Sequence, residues 1–278
     1  MRSLLNILPN GVKMSILDVG AALSEAPPYQ PLVDAGRARI VGFEPDSQEC
    51  EKLTRKYGNS HKFYPYFAGD GGTSTYYQTN WPLTGSLLEP NTELLEKFNN
   101  LSELCQPVAE HPTTTKRIDD IGDIRDIDFI KIDVQGSELA VLENAVRVLS
   151  TTLLVQIEVE FVELYKGQPL FADIDRFLRG QGFQFHTFDG FGTRAFKPLL
   201  RNGDVNAGFR QILWSDAIYV RDWMKLDQMS EIKLKKYAVL AHDLLNSCDL
   251  ANLALMALDR KTKGNFSAAY LEKLTGKP

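Results

Sequence analysis

From Ser15 to Val220, short apolar runs alternate with amphipathic helical patterns, and this alternation restricts the chain to few architectures. The runs are Ser15–Val19, Ala38–Glu44, Lys62–Ala68, Asp128–Val134 and Thr152–Phe161. Helical periodicity falls at Gln48–Tyr57, Glu138–Leu149 and Phe171–Gln181. Strands separated by helices of this length imply βαβ units and a mainly parallel sheet, an α/β fold. Two further runs, Gln184–Asp189 and Asp216–Val220, are expected to form an antiparallel pair at one edge. Two stretches break the rhythm. Gly69–His111 is long for a connection and reads as an insertion, with a helical pattern at Thr92–Leu104. Residues 224–278 repeat apolar residues at helical spacing and read as a C-terminal extension of a 1–223 domain, packing on it or on a second subunit.

In a doubly wound sheet, ligands bind outside the carboxyl ends of the strands. The first two predicted strands end in DVGA (from Asp18) and FEPD (from Phe43). A glycine after the first strand admits a ligand close to the backbone. Glu44, 24 positions after Gly20, suits the hydroxyls of a ribose. The turn GAALSEA has one glycine where a dinucleotide site wants three, and Glu25 would repel a pyrophosphate. That disfavours NAD and ATP. S-adenosylmethionine carries no phosphate, and its ammonium suits an acidic residue such as Asp18.

At this point the chain resembles the FkbM-type methyltransferases, from about Ile16 to Asp222. The segments that carry the resemblance are ILDVGA, VGFEPD, GDGGTSTYY, TGSLLEPN, TTTKRIDDI, DFIKIDVQGSELAVLENA, EVEFVELYKGQPLF and LWSDAIYVRD. The resemblance implies a Rossmann-like class I methyltransferase fold: a mainly parallel seven-stranded sheet with an antiparallel edge strand, here followed by a helical tail. It implies S-adenosylmethionine as cofactor and O-methylation of a small molecule or glycan. By the same resemblance Asp18, Gly20 and Ala21 line the methionine end, and Phe43, Glu44, Pro45 and Asp46 the ribose. Ala68, Gly69 and Asp70 border the adenine, and Asp133 faces the transfer region. The chain departs from the family pattern at Ala22, Ser24 and Gln135, where the family usually has Asn, Gly and Glu. These departures motivate a second reading, a catalytically inactive relative that binds a ligand or partner. A nicotinamide-dependent oxidoreductase is a third, disfavoured by the missing glycines.

A sugar-type hydroxyl is a poor nucleophile at neutral pH and needs a base within hydrogen-bond reach. Asp133 ranks first as that base, although an Asp before a helix also serves as a cap. Glu158 and Glu160, two apart in a strand, point to one face. His186 is a third candidate by its chemistry, against the plainer reading of a packed histidine. Asp133, Glu138 and Glu158 offer a set for a divalent ion, but spacing alone does not make a metal site and none is predicted. Asp216 reads as a turn residue, Tyr165 and Lys166 as a loop, and Tyr76, Tyr77 and Trp81 as a small hairpin core.

A net charge of −5, from 31 basic and 36 acidic side chains, argues against nonspecific nucleic-acid binding. Cys50, Cys105 and Cys248 are odd in number and scattered, which suggests a reducing compartment rather than disulfides. With no long apolar run and no cleavable leader pattern, a cytoplasmic protein without a membrane span is expected. A homodimer through the helical tail is left open.

Overall fold

Strand β1 (Met14–Val19) is an interior strand of a seven-stranded sheet in the computed structural model, which describes residues 3–8, 12–22 and 26–276. Ser24 and Glu25 of the first turn lie outside the described residues. The chain continues through α1 (Gln30–Asp34), β2 (Ala38–Phe43), α2 (Ser47–Tyr57), β3 (Lys62–Tyr64), β4 (Phe67–Ala68) and β5 (Thr73–Thr79). Then come α3 (Thr92–Leu95), α4 (Leu101–Leu104), β6 (Pro107–Lys116), β7 (Phe129–Ile132), α5 (Glu138–Glu143), α6 (Val146–Leu149) and β8 (Leu154–Glu160). Last are α7 (Phe171–Gly180), β9 (Phe183–Thr193), β10 (Ile212–Arg221), α8 (Glu231–Val239), α9 (Cys248–Thr262) and α10 (Phe266–Thr275). The sheet order is β3-β2-β1-β7-β8-β10-β9. The pairings β3–β2, β2–β1, β1–β7 and β7–β8 are parallel. Strand β10 runs against both β8 and β9, so the antiparallel pairing falls at one edge, as expected.

Alternation along the strands sends neighbouring residues to two separate cores. Ile16, Phe129 and Leu154 face one, and Leu17, Ile130 and Val155 the other. The second core is closed by Val141, Leu142, Val148, Ile174 and Leu178 of α5–α7. The first is closed by Leu234, Tyr237, Ala238, Ala254 and Leu258 of α8 and α9. The C-terminal stripes therefore pack on the sheet itself. Between β1 and β2 the described chain offers only the five-residue α1, too little to cover that face, and the late helices supply the missing layer. Lys233 and Lys236 of α8 tie to the fully buried Asp128 at 2.8 and 2.6 Å, and Asp128 also accepts the Ser15 N–H (3.0 Å).

Four local expectations are corrected. The third strand is not continuous over Lys62–Ala68: Pro65 has no N–H to give a ladder, so the pairing with β2 ends at Tyr64. Phe67–Ala68 joins β6 in a separate three-stranded sheet, order β4-β6-β5, whose strands reach Lys116. The Glu138–Leu149 helix is two helices, because the Asp119 carboxylate accepts the N–H groups of Arg147 and Val148 (2.8 and 3.2 Å) and starts a new one. Thr92–Leu104 is likewise divided, with Asn100 left-handed at φ 62°. In the small sheet Tyr76 packs on Phe67 and His111, while Trp81 is half exposed.

Candidate active site

The tips of β1, β2 and β7 are tied together by backbone hydrogen bonds. Gly20 and Ala21 both donate to the Phe43 carbonyl at 3.0 Å, and Asp133 donates to the Val19 carbonyl at 3.0 Å. Gly20 has φ +85°, and a Cβ there would lie 1.9 Å from the Asp133 carbonyl oxygen. Only glycine fits that crossing. Gly58 also has a positive φ (+77°), but nothing lies within 4 Å of its missing Cβ. Gly58→Ala should therefore cost only its backbone conformation (φ +77°, ψ −179°), a region that is essentially reserved for glycine, about 1–3 kcal/mol. Gly20→Ala should cost that and a main-chain displacement as well, and should lower the melting temperature by clearly more. Equal shifts in thermal denaturation would show that the strand tips are not held this closely.

Asp18 is buried at the end of β1. Its Oδ2 accepts the Tyr29 hydroxyl, and Lys131 Nζ stands 3.8 Å from its Oδ1. Oδ1 has no hydrogen-bond partner among the described residues. Burial raises the Asp18 pKa, with Lys131 and Tyr29 pulling against it. Glu44 ends β2 as a buried carboxylate whose Oε1 accepts the Asp46 N–H at 2.9 Å. Its Oε2 takes no hydrogen bond among the described residues. Burial pushes its pKa up to about 7, partly offset by the Asp46 N–H. Asp46 caps α2 by accepting from Gln48 and Glu49 (2.8 and 3.0 Å). Phe43 lends its carbonyl to the turn, but its ring is packed in the core.

A second polar group gathers at the ends of β7, β8 and β10. Lys131, mostly buried, stands 3.9 Å from Asp133 Oδ2. Burial alone would lower its pKa, but Asp18, Asp133, Asp216 and Glu158 hold it above the ordinary value. Gln135, left-handed at φ 57°, donates through Nε2 to Asp133 Oδ1 (2.8 Å) and Glu158 Oε2 (2.7 Å). Its Oε1 accepts the Tyr165 hydroxyl (3.2 Å), and its carbonyl accepts the Ser86 hydroxyl (2.6 Å). A glutamate at 135 has no N–H to bridge two carboxylates, so here the amide is the residue type that the surrounding acids select.

Glu138, Glu158 and Glu160 each place a carboxylate oxygen within 4.8 Å of the others. This set differs from the Asp133–Glu138–Glu158 grouping that the sequence offers, for which no metal is predicted. Glu138 is committed to the turn before α5, accepting the Val134 N–H at 2.9 Å and the Gly136 N–H at 3.0–3.1 Å. Burial raises Glu138 to about 7 and holds Glu158 and Glu160 well above the carboxylate range, and neighbouring acids add to the shift. Three close carboxyls, Glu138 and Glu160 buried and Glu158 half-buried, relieve their mutual repulsion by taking up protons.

These acids give a stability prediction with a definite sign. Their folded pKa values exceed the unfolded value of 4.5, so the native state binds more protons than the unfolded chain. The stabilisation is full below pH 4.5 and is lost as pH rises through the folded values. His61 and His186, lowered by burial, act oppositely, but only around and below pH 6.5. The ligand-free protein should therefore melt several degrees lower at pH 8.5 than at pH 6.5. For Glu44 alone the shift from 4.5 to about 7 corresponds to roughly 3 kcal/mol over the whole titration, of which about 1 kcal/mol is lost between pH 6.5 and 8.5. A melting temperature that rises over that interval would contradict the burial of uncompensated acids.

Of the expected site residues, the structure assembles Asp18, Gly20, Ala21, Glu44, Pro45, Asp46, Asp133 and Glu158 around the carboxyl ends of adjacent strands. Ala68 is buried, and Gly69 donates to the Lys116 carbonyl at 3.0 Å. Asp70 is used by a turn, accepting from Gly72 and Thr115. A cleft of about 470 Å³ lies beside them, lined by Tyr64, Tyr66, Gly71, Thr115 and Lys116 among others. His186 is not brought to Asp133 and Glu158: it interacts with Asp249 of α9, on the face covered by the C-terminal helices. Asp216 is not a turn residue but sits within β10 opposite Glu158, accepting from Gln156 Nε2 at 2.8 Å. Tyr165 is buried rather than in an exposed loop. Lys131, Gln156 and Tyr29 were not anticipated. A lysine and a glutamine inside otherwise apolar central strands were the available signal.

The strand order, with one reversed strand beside the edge and acidic tips on the first two parallel strands, defines a Rossmann-like class I methyltransferase fold. The sequence profile of the methyltransferase FkbM domain matches residues 18–185, and the chain belongs to that family. Among solved structures it is similar to a proposed methyltransferase from Thermoplasma acidophilum (9% identity, 76% of this chain and 69% of that one, TM-score 0.39). It is also similar to an uncharacterized protein from Listeria monocytogenes serotype 4b (11% identity, 92% and 96%, TM-score 0.39). A third similarity is to a SAM dependent methyltransferase from Aquifex aeolicus (14% identity, 75% and 84%, TM-score 0.31). No curated protein matches. Among the described residues, no helix is long and apolar enough to cross a membrane.

Proposed function

We propose that this protein is an S-adenosylmethionine-dependent O-methyltransferase acting on a hydroxyl of a small molecule or glycan. The observation that carries the reading is the pairing of two features. One is a cradle of Gly20, Asp18 and Glu44; the other is an accessible carboxylate, Asp133, at the next strand tip. The residues fit the cofactor. The orphaned, buried Asp18 Oδ1 suits its ammonium, the missing Cβ of Gly20 leaves room, and the open oxygen of Glu44 suits ribose hydroxyls. Ala68 and Gly69 border the adenine side. When bound, the cofactor supplies a methyl group made electrophilic by a positive sulfur.

The protein's own part is to position the acceptor and remove its proton. Asp133 Oδ2 faces Lys131, and Oδ1 is held by the Gln135 amide. The side chain is 40% exposed, open enough to meet a hydroxyl. We assign Asp133 as the general base. Glu158 is joined to it through Gln135 Nε2, and desolvation together with the neighbouring acids pushes its pKa up, so it ionises less readily than an ordinary carboxyl. Lys131 holds Asp18 and Asp133 apart in charge, standing about equally far from both.

The direct test is incubation of the full chain with methyl-labelled S-adenosylmethionine and hydroxyl-bearing acceptors: sugars, polyols and phenols. Label is expected in an ether linkage that survives mild base. Label only in base-labile esters or on nitrogen would overturn O-methylation. Tight cofactor binding with no transfer to any acceptor class would favour the ligand- or partner-binding alternative.

A further inference from the structure

The connection from β9 to β10 gathers exposed apolar side chains beside basic ones. It leaves the sheet at Thr193 and returns at Ile212, at the same end as Glu160, which pairs with Trp214. Residues 196–206 are exposed without interruption. Phe191, Phe196, Leu199, Leu200, Val205 and Phe209 all present apolar side chains to solvent, Leu199 at 64% exposure. Arg194, Lys197, Arg201 and Arg210 share the loop with one acid, Asp204, in a chain whose net charge is −5.

The loop is built rather than slack. The Asn99 amide donates to the carbonyls of Ala195 (3.1 Å) and Leu199 (2.6 Å), and Phe196 stacks on Phe98 at 4.5 Å. Arg194 and Arg201 donate to the carbonyls of Asn206 (3.0 Å) and Gly208 (2.8 Å), which brace the loop without neutralising their charge. Lys197 is paired with Glu103 at 3.1 Å. Arg210 has no ion pair or hydrogen bond among the described residues. The fold thus pins the backbone of Leu199 while its side chain points outward.

We propose that this loop docks the protein on an anionic lipid bilayer. Apolar side chains that enter the headgroup boundary together with basic residues that meet anionic headgroups form a two-part interfacial anchor. Large apolar side chains exposed together in one loop, rimmed by polar residues, mark an interaction site. Charge selects the occupant. With Lys197 paired to Glu103, two copies meeting loop to loop would still set a net +2 against +2 (Arg194, Arg201 and Arg210 against Asp204), whereas an anionic surface is complementary to both components. The docked membrane would lie at the carboxyl end of the sheet, beside the candidate site.

The test is flotation of the full chain with phosphatidylcholine vesicles, with and without about one-third phosphatidylglycerol, together with analytical ultracentrifugation. The expected result is binding to the anionic vesicles only, weakened by raising salt from 0.1 to 0.5 M. Leu199→Ser/Phe209→Ser and Arg210→Glu should each weaken it by about 10-fold or more, with unchanged circular dichroism and melting temperature. No binding to anionic vesicles, equal binding to neutral ones, or binding unaffected by both variants would overturn the proposal. So would a wild-type dimer that Leu199→Ser/Phe209→Ser converts to monomer, since the loop would then be a self-interface. None of these readouts depends on methyl transfer.

Discussion

Glu44→Ala is expected to weaken S-adenosylmethionine binding by at least about 100-fold while leaving the fold intact. A hydrogen bond to a charged group contributes roughly 1.5–3 kcal/mol. Two ribose hydroxyls on one carboxylate therefore amount to about 3–6 kcal/mol, or two to four decades in affinity. The side chain's own structural bond is one contact to the Asp46 N–H, and Asp46 caps α2 independently of it. Melting should therefore change little. The same residue gives the binding a pH dependence. The hydroxyls donate to the ionised form, so affinity should rise as pH rises through about 7, the value to which burial pushes Glu44. Glu44→Gln should bind more weakly than wild type and flatten that dependence. Calorimetric titrations at pH 6, 7 and 8 read both effects.

Asp133→Ala should have the opposite profile. A general base typically contributes about 10²–10⁴ in rate, and turnover should fall by that order. Cofactor affinity should stay within a few-fold, because Asp133 is joined to the β1 tip through its backbone N–H, which alanine retains. Asp133→Asn should lose turnover similarly, since the amide keeps the shape but cannot take the proton. Full activity in either variant would remove Asp133 from the chemistry and shift attention to Glu158, the other acid that Gln135 holds.

What the sequence made visible follows the range of the physics involved. The strands β1, β2, β7 and β8 were legible because each is a short apolar run ending in a polar residue. Helix α2 was found within a residue, since Asp46 is a cap immediately before it. The break at Asn144–Ala145 was not legible, because its cause is Asp119, 28 positions from Arg147. The burial of Tyr165 has the same origin: its hydroxyl finds Gln135 and the Thr84 carbonyl, partners 30 and 81 residues away. His186 looked available only because the helix that covers its face lies at the far end of the chain. By sequence Gln135 is only a missing carboxylate; in the fold its amide is the bridge between Asp133 and Glu158. Local spacing thus locates strand tips, while the choice of acid, amide or cation at each tip is set by side chains arriving from elsewhere.

Calorimetric titration of the purified full chain with S-adenosylmethionine bears most directly on the cradle formed by Asp18, Gly20 and Glu44. Saturable one-to-one binding is predicted, lost in Glu44→Ala and preserved in Asp133→Ala. An absence of binding by the wild-type protein, or equal affinity in wild type and Glu44→Ala, would contradict it.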